Sequence, residues 1–291
     1  MVFFIDTDSE LNYEHVKSLG IDTKVIRMPY SIDDEEIFAD ITEFNSKEFF
    51  DKLRNGSKAS TAGLNVADYI NYFEPYVAQG EEIFYISFGA SFSGTFNYLD
   101  MALKELKEKY PNMKFTRFDT NAISLATGIQ IMAGARMLKE GKSVEEVVAE
   151  LTELSKKVNL NIVADDLQYL KRGGRLSAGK ALIGSILKVK PYIKLTQDGK
   201  LRPVASVPGR NKALMMAIND TANEAIDVKL PIVIMNADCN ADAERAKARL
   251  NELRPELDVW ICDIGPVIGA HCGPGALGII YVGGDRPVIN V

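Results

Sequence analysis

Ile264-Gly-Pro-Val-Ile-Gly-Ala-His-Cys-Gly-Pro-Gly-Ala-Leu-Gly-Ile-Ile-Tyr281 holds His271, one of only two histidines in 291 residues. An imidazole changes charge near neutral pH and can donate or accept a hydrogen bond. Glycine lets a ligand approach the main chain closely, so this run reads as a site-bearing turn. The apolar residues 276–282 that follow read as a buried strand. Two hydroxyl groups of residues could work with such an imidazole. Ser60-Thr61 precedes a helix start at Asn65, and Ser91-Phe-Ser93-Gly94-Thr95 joins a strand to a helix. Helix N-termini attract anions, and hydroxyls add donors. The three elements together could hold a carboxylate or a phosphate. Taken singly, the hydroxyls could be helix caps and His271 a structural histidine.

Other constellations point less far. Asp165-Asp166 lacks further ligands at metal spacing and reads as a helix N-cap. Lys171-Arg172-Gly173-Gly174-Arg175 resembles an anion-binding loop only loosely. No GxGxxG follows the first strand, and GxxxxGK[ST] is absent. The loop Gly89-Ala-Ser-Phe-Ser-Gly94 lacks the spacing of a nucleophile elbow. Cys272 adjoins His271, but adjacent side chains seldom point at one atom. A catalytic role is therefore not expected.

These residues need elements to position them. Residues 2–6, 22–30, 82–88 and 114–119 read as strands. Residues 13–20, 47–56, 65–78, 96–109, 122–140 and 143–158 read as helices, with 31–46 irregular. This alternation predicts a parallel sheet in residues 1–158, with ligands bound at the strands' carboxyl ends. Beyond it, 161–163 is short and extended. Strands are expected at 190–195, 201–207, 232–236, 259–263 and 279–282. Helices are expected at 165–170, 178–187, 212–225 and 241–253. Gln197-Asp-Gly199 predicts a hairpin turn. The expected fold is α/β in two domains, 1–158 Rossmann-like and 159–291 built on a mixed sheet.

Composition narrows the setting. Apolar residues make up 46% and charged residues 25%, enough for a sizeable core. No run approaches a membrane span, and the opening residues lack a signal peptide's basic region. Three scattered cysteines argue against a disulfide framework or a structural zinc site, and for a cytoplasmic location. Net charge is −6, yet residues 171–212 hold eleven Lys or Arg and one acid, so that window is +10 and the remainder −16. Such asymmetry concerns partners rather than fold.

With those residues in view, the chain resembles the DegV family of bacterial fatty-acid-binding proteins over nearly its whole length. The resemblance is carried by Thr7-Asp8-Ser9, by residues 86–96 around Ser93-Gly94-Thr95, by Asp166-Leu-Gln-Tyr-Leu-Lys-Arg-Gly-Gly-Arg-Leu-Ser177, by Val189-Lys-Pro191, by Val207-Pro-Gly-Arg-Asn-Lys-Ala213 and by Gly265–Ala276. It implies one long-chain fatty acid buried between the two domains, with no other cofactor and no metal. Its carboxylate would be held by Ser60 or Thr61, by Ser93 with Gly94, and by His271. The resemblance further implies a non-catalytic carrier, monomeric when alone. Such a carrier presents its acid to an ATP-dependent fatty acid kinase for acyl-phosphate formation and phospholipid synthesis. Two positions depart from the family pattern: Ala59-Ser-Thr-Ala62 stands where Thr-Ser-Gln-Pro is frequent, and Cys272 where Thr is frequent. Other readings are a lipid-occupancy sensor, or a hydrolase using Ser93 and His271.

Physical chemistry is consistent with a carrier. Burying a tail of about sixteen carbons contributes on the order of 12 kcal/mol. An unpartnered buried carboxylate would cost several kcal/mol, which hydroxyl and imidazole donors would offset. Within the basic window Arg172, Arg175, Arg202 and Arg210 are expected to dock an acidic face of the kinase. No nucleic-acid partner is expected.

Overall fold

Strand β1 (Val2–Asp6) is buried along its whole length, as a parallel strand covered on both faces must be. The computed structural model describes residues 1–42, 44–176, 189–224 and 226–289. The chain divides into two units, Met1–Glu43 with Thr61–Ser155, and Phe44–Ser60 with Lys156–Val291.

In the first unit β1 is followed by helix α1 (Tyr13–Ser18) and by strands β2 (Thr23–Ile26), β3 (Pro29–Ile32) and β4 (Glu35–Phe38). Helix α2 (Ser46–Arg54) belongs to the second unit, and strand β5 (Ala59–Thr61) brings the chain back. Then come α3 (Val66–Val77), β6 (Ile83–Ser87), α4 (Thr95–Lys109), β7 (Phe115–Asp119), α5 (Leu125–Lys139) and α6 (Val144–Ser155). The sheet order is β2-β1-β6-β7, parallel throughout. Because β2 lies on one side of β1 and β6 on the other, the chain reverses direction of winding between β1 and β6. The carboxyl ends of those two strands flank the switch point where such sheets bind ligands. Phe4 meets Phe73 of α3 edge-on at 5.0 Å, one of the aromatic contacts that seat helices on this sheet.

Helix signals read from sequence are realised here. Asn65 and Asp68 form a reciprocal capping box on α3, and Ser143 and Glu146 form one on α6. Two expectations for residues 22–46 fail. The strand expected over 22–30 is split in two, because the backbone N–H groups of Arg27 and Met28 donate to Tyr72 Oη at 3.0 Å and Thr7 Oγ1 at 2.9 Å, not to a ladder. The acidic stretch expected to be irregular contains the antiparallel hairpin β3–β4. Its turn residues Asp33 and Asp34 both take left-handed backbone angles, φ 50° and 68°, which Asp tolerates.

The second unit carries β8 (Val158–Val163), α7 (Leu167–Arg172), β9 (Val189–Leu195), β10 (Leu201–Pro208), α8 (Arg210–Ala222), β11 (Ile232–Asn236), α9 (Asn240–Leu253), β12 (Val259–Asp263), α10 (Pro266–Cys272) and β13 (Leu277–Val282). Its mixed sheet has the order β10-β9-β8-β13-β11-β12; β11 pairs β12 in parallel and the other neighbouring pairs run antiparallel. Tyr192, Leu214, Ile234, Leu250 and Ile279 are buried in its core. The β9–β10 hairpin forms as expected, with Gly199 at φ 69°. The helix expected to reach residue 158 stops at Ser155, and β8 begins at Val158 as an interior strand between β9 and β13. The helix expected over 178–187 lies outside the described residues.

Candidate functional site

Asp6 ends β1 with its carboxylate fully buried at the switch point. Its Oδ2 accepts a hydrogen bond from Tyr85 Oη at 2.8 Å and from the Phe88 N–H at 3.1 Å. Burial pushes the Asp6 carboxyl up to about 6, and those hydrogen bonds pull in the other direction. The next two N–H groups are also taken. Gly89 N–H donates to the Ala122 carbonyl at 2.6 Å, and Ala90 N–H donates to Asp119 Oδ2 at 3.1 Å. Gly89 is required here, since a β-carbon would stand 2.9 Å from Ala122 N. Three successive amides leaving β6 are therefore anchored to three different parts of the unit. A phosphate cradle needs such amides free. Beyond these three amides the turn presents the Ser93 hydroxyl.

Ser93 is half-buried and extended, and its Oγ accepts the Thr95 N–H at 3.2 Å. Gly94 precedes the first turn of α4 at φ −75°, and a β-carbon there would meet only Asn97 Nδ2 at an ordinary 3.9 Å, so its backbone makes no demand for glycine. Thr95, the last residue of the Ser93-Gly94-Thr95 element, is the hub of the turn. Its hydroxyl lies 2.9 Å from Tyr69 Oη and donates to the Leu64 carbonyl at 3.3 Å. A β-carbon on Gly63 would stand 3.0 Å from Thr95 Cβ. The residues just after Thr61 are thus held against the residues just after Ser93. Its only advance signal was a threonine directly after Ser-Gly at a helix start.

Ser60 and Thr61 lie on β5, not at a helix N-terminus, and the cap of α3 is Asn65. Neighbouring residues of a strand face opposite sides. Ser60 is exposed and Thr61 half-buried, so a single ligand meets one or the other. Ser60 falls in the second unit and Thr61 in the first.

His271 lies in the second unit on a helix, where the sequence predicts a turn. Pro266 occupies the first turn of α10, where its missing N–H costs nothing. Gly269 faces Phe49 and Phe50 of α2, and Gly273 ends the helix at φ 71°. The glycines thus build a tightly packed helix and its stop. Burial, with the nearby Arg175 charge, lowers the His271 pKa from 6.5 to about 4, so the ring is neutral at pH 7. A neutral imidazole offers one N–H donor and no counter-charge. Cys272 beside it is buried, with its thiol toward the Gly273 carbonyl at 3.6 Å.

The remaining predicted residues divide. Asp166 caps α7 by accepting the Gln168 N–H at 2.8 Å, as its position implies. Arg172 is exposed, its guanidinium 4.8 Å from the Tyr169 ring centre. Arg175 donates to the Gly173 carbonyl. Arg202 and Arg210 both form ion pairs within the unit. Arg202 is paired with Asp198 at 2.7 Å, and Arg210 with Asp165 at 3.2 Å and with Asp242. Each of these acids also meets a second cation, Asp198 with Lys200, Asp165 with Lys190 and Asp242 with Arg245, so cations outnumber acids in both clusters. Among the described residues no cluster of three or more His, Cys, Asp or Glu could hold a metal, and no helix is long and apolar enough to cross a membrane.

Residues 3–283 match the family model described as an uncharacterised protein of the DegV family. A DegV domain-containing protein of Clostridium perfringens is 36% identical over 287 residues, covering 98% of each chain. One from Clostridium acetobutylicum is 28% identical, covering 95% of each. Among solved structures, a fatty-acid-binding DegV family protein from Streptococcus agalactiae superposes with TM-score 0.81 at 24% identity, covering 98% of this chain and 99% of that one. A DegV family protein from Thermus thermophilus, described as fatty-acid-binding, has TM-score 0.81 at 23% identity, covering 97% and 99%.

Proposed function

The chain belongs to the DegV family, and on that premise we propose that it binds one long-chain fatty acid and serves as its carrier. The observation that carries the reading is the saturation of the Phe88, Gly89 and Ala90 amides beside a half-buried Ser93. With those three amides taken, the turn lacks the run of free N–H groups that cradles a phosphate, and a hydroxyl beside it suits a carboxylate. The proposed carboxylate ligands are Thr61 or Ser60, Ser93 beside Gly94, and His271 as a neutral donor. Fatty-acid binding in the Streptococcus and Thermus proteins supports the same class of ligand.

The carrier does no chemistry of its own in this reading. Ser93 accepts a helix N–H, and the histidine of its own unit, His15, is engaged in the cap of α1. We propose further that the acid is presented to a separate fatty acid kinase, through a surface that includes Arg172, Arg175, Arg202 and Arg210. Equilibrium binding of palmitate and hexadecanol tests the ligand class. A carboxylate site prefers the acid at equal chain length. Equal affinity for both, or none for either, would refute it.

A further inference from the structure

The residues on either side of Ser93 meet one arginine side chain. Arg117 projects from β7 and donates through Nε to Ser87 Oγ at 3.1 Å. Through Nη2 it donates to Asp119 Oδ2 at 2.8 Å, and that same oxygen accepts the Ala90 N–H. Its guanidinium carbon lies 3.9 Å from the centre of the Phe96 ring, which is buried in the first turn of α4. Phe96 in turn meets Phe88 at 4.8 Å. Asp119 also accepts the Asn121 N–H at 2.8 Å through Oδ1, so its carboxylate cannot swing away from Ala90 without breaking that turn.

The contacts bracket Ser93. Ser87 and Ala90 precede it, and Phe96 follows it. One planar guanidinium therefore fixes both ends of a short segment that carries a single hydroxyl at its middle. A lysine cannot reproduce this, because an ammonium has neither the flat face for the ring nor the fork for two in-plane acceptors. The arrangement is also mostly withdrawn from solvent on the arginine side, with the Arg117 side chain 19% exposed. An exposed ion pair alone would position little. Here the pair is one part of a stacked and hydrogen-bonded assembly.

We propose that Arg117, acting with Asp119, is the positioning residue for the Ser93 hydroxyl and thereby sets the preference for a carboxylate head group over a neutral one. The inference rests on the reading of Ser93 as a carboxylate ligand. A fatty alcohol of the same length shares the tail but demands less of the hydroxyl's placement. A residue that merely stabilises the fold would affect both ligands alike.

The test measures equilibrium binding of radiolabelled palmitate and hexadecanol to the full chain, for the wild type, Arg117→Met, Arg117→Lys and Ser93→Ala. Arg117→Met keeps apolar bulk against Phe96 and loses both hydrogen bonds. Palmitate affinity is expected to fall about tenfold, the loss of one well-placed charge-assisted bond, with hexadecanol affinity unchanged. If the Met variant does not fold, Arg117→Lys keeps the charge and is expected to show the same selective loss. Should Ser93→Ala weaken palmitate while the folded Arg117 variants do not, the positioning role is overturned and the carboxylate reading stands. Should the Arg117 variants weaken both ligands equally, the residue is structural only. If Ser93→Ala changes neither affinity, the reading of Ser93 fails and the inference falls with it.

Discussion

Gly173 and His271 are in direct apposition: a β-carbon on residue 173 would overlap the imidazole Nδ1. Gly173 has an ordinary helical backbone at φ −72°, so alanine there meets no conformational penalty. The neighbouring Gly174 is the opposite case. It sits at φ 69° with nothing within 4 Å of its β-carbon position.

These two glycines separate the placement of His271 from general stability. Gly173→Ala pushes on the ring and is expected to lower palmitate affinity about tenfold if the imidazole donates to the head group. Gly174→Ala leaves the ring alone and costs about 1–2 kcal/mol for a left-handed alanine. Chemical denaturation together with palmitate binding for both variants checks this. The expected pattern is lost affinity in the first and lost stability with retained affinity in the second.

The acid–base behaviour of His271 follows from its burial. With its pKa lowered from 6.5 to about 4 in the folded chain, the unfolded state takes up a proton between those values that the folded state refuses. Its contribution is therefore present above pH 6.5 and lost as pH falls toward 4, by roughly 3 kcal/mol. Relative to His271→Gln, the wild type should lose stability between pH 6.5 and pH 4. Nitrogen-15 NMR should find the ring neutral at pH 5.5, and a protonated ring at that pH would contradict the account.

Asp6 has the reverse sign. Its carboxyl is raised from 3.8 to about 6, so the unfolded state ionises first as pH rises. The contribution of Asp6 is greatest below pH 4 and falls by roughly 3 kcal/mol as pH rises through 6. Asp6→Asn retains an acceptor for the Phe88 N–H and removes the titration. The stability advantage of the wild type over this variant should shrink from pH 4 to pH 7 in urea melts. A difference that does not change with pH would contradict the burial argument.

The two faces of β5 give a sharper choice of ligand. Thr61 is half-buried and Ser60 exposed. Thr61→Val, close in shape and lacking the hydroxyl donor, is expected to reduce palmitate affinity about fivefold to tenfold, with Ser60→Ala near the wild type. The reverse ranking in a binding titration would assign the role to Ser60.

Much of this fold is written in local pattern. The apolar runs of β1, β6 and β11 and the capping pairs Asn65–Asp68 and Ser143–Glu146 are short-range signals, and each forms. What escaped has a long-range or disguised cause. The β3–β4 turn uses Asp33-Asp34 where a glycine is the usual marker. The glycines around His271 read as a loop, although Gly265-Pro266 and Gly273 bracket a helix in the order that proline and glycine prefer. The allegiance of Phe44–Ser60 to the second unit rests on contacts such as Phe49 against Gly269, which no local pattern encodes. Of the site, Ser93 and His271 were legible by residue type. Thr95 was legible as part of the Ser-Gly-Thr element but not as its hub, and Asp6 and Arg117 were not legible, because their roles depend on strand order. The Arg117-x-Asp119 spacing, two residues on one strand face, was the available hint.

Native mass spectrometry of the full chain after expression in bacteria tests the central claim most directly. The account predicts a complex heavier than the bare chain by the mass of one long-chain fatty acid, lost on delipidation and restored by palmitate. A chain that is always bare and takes up no palmitate on titration would contradict it.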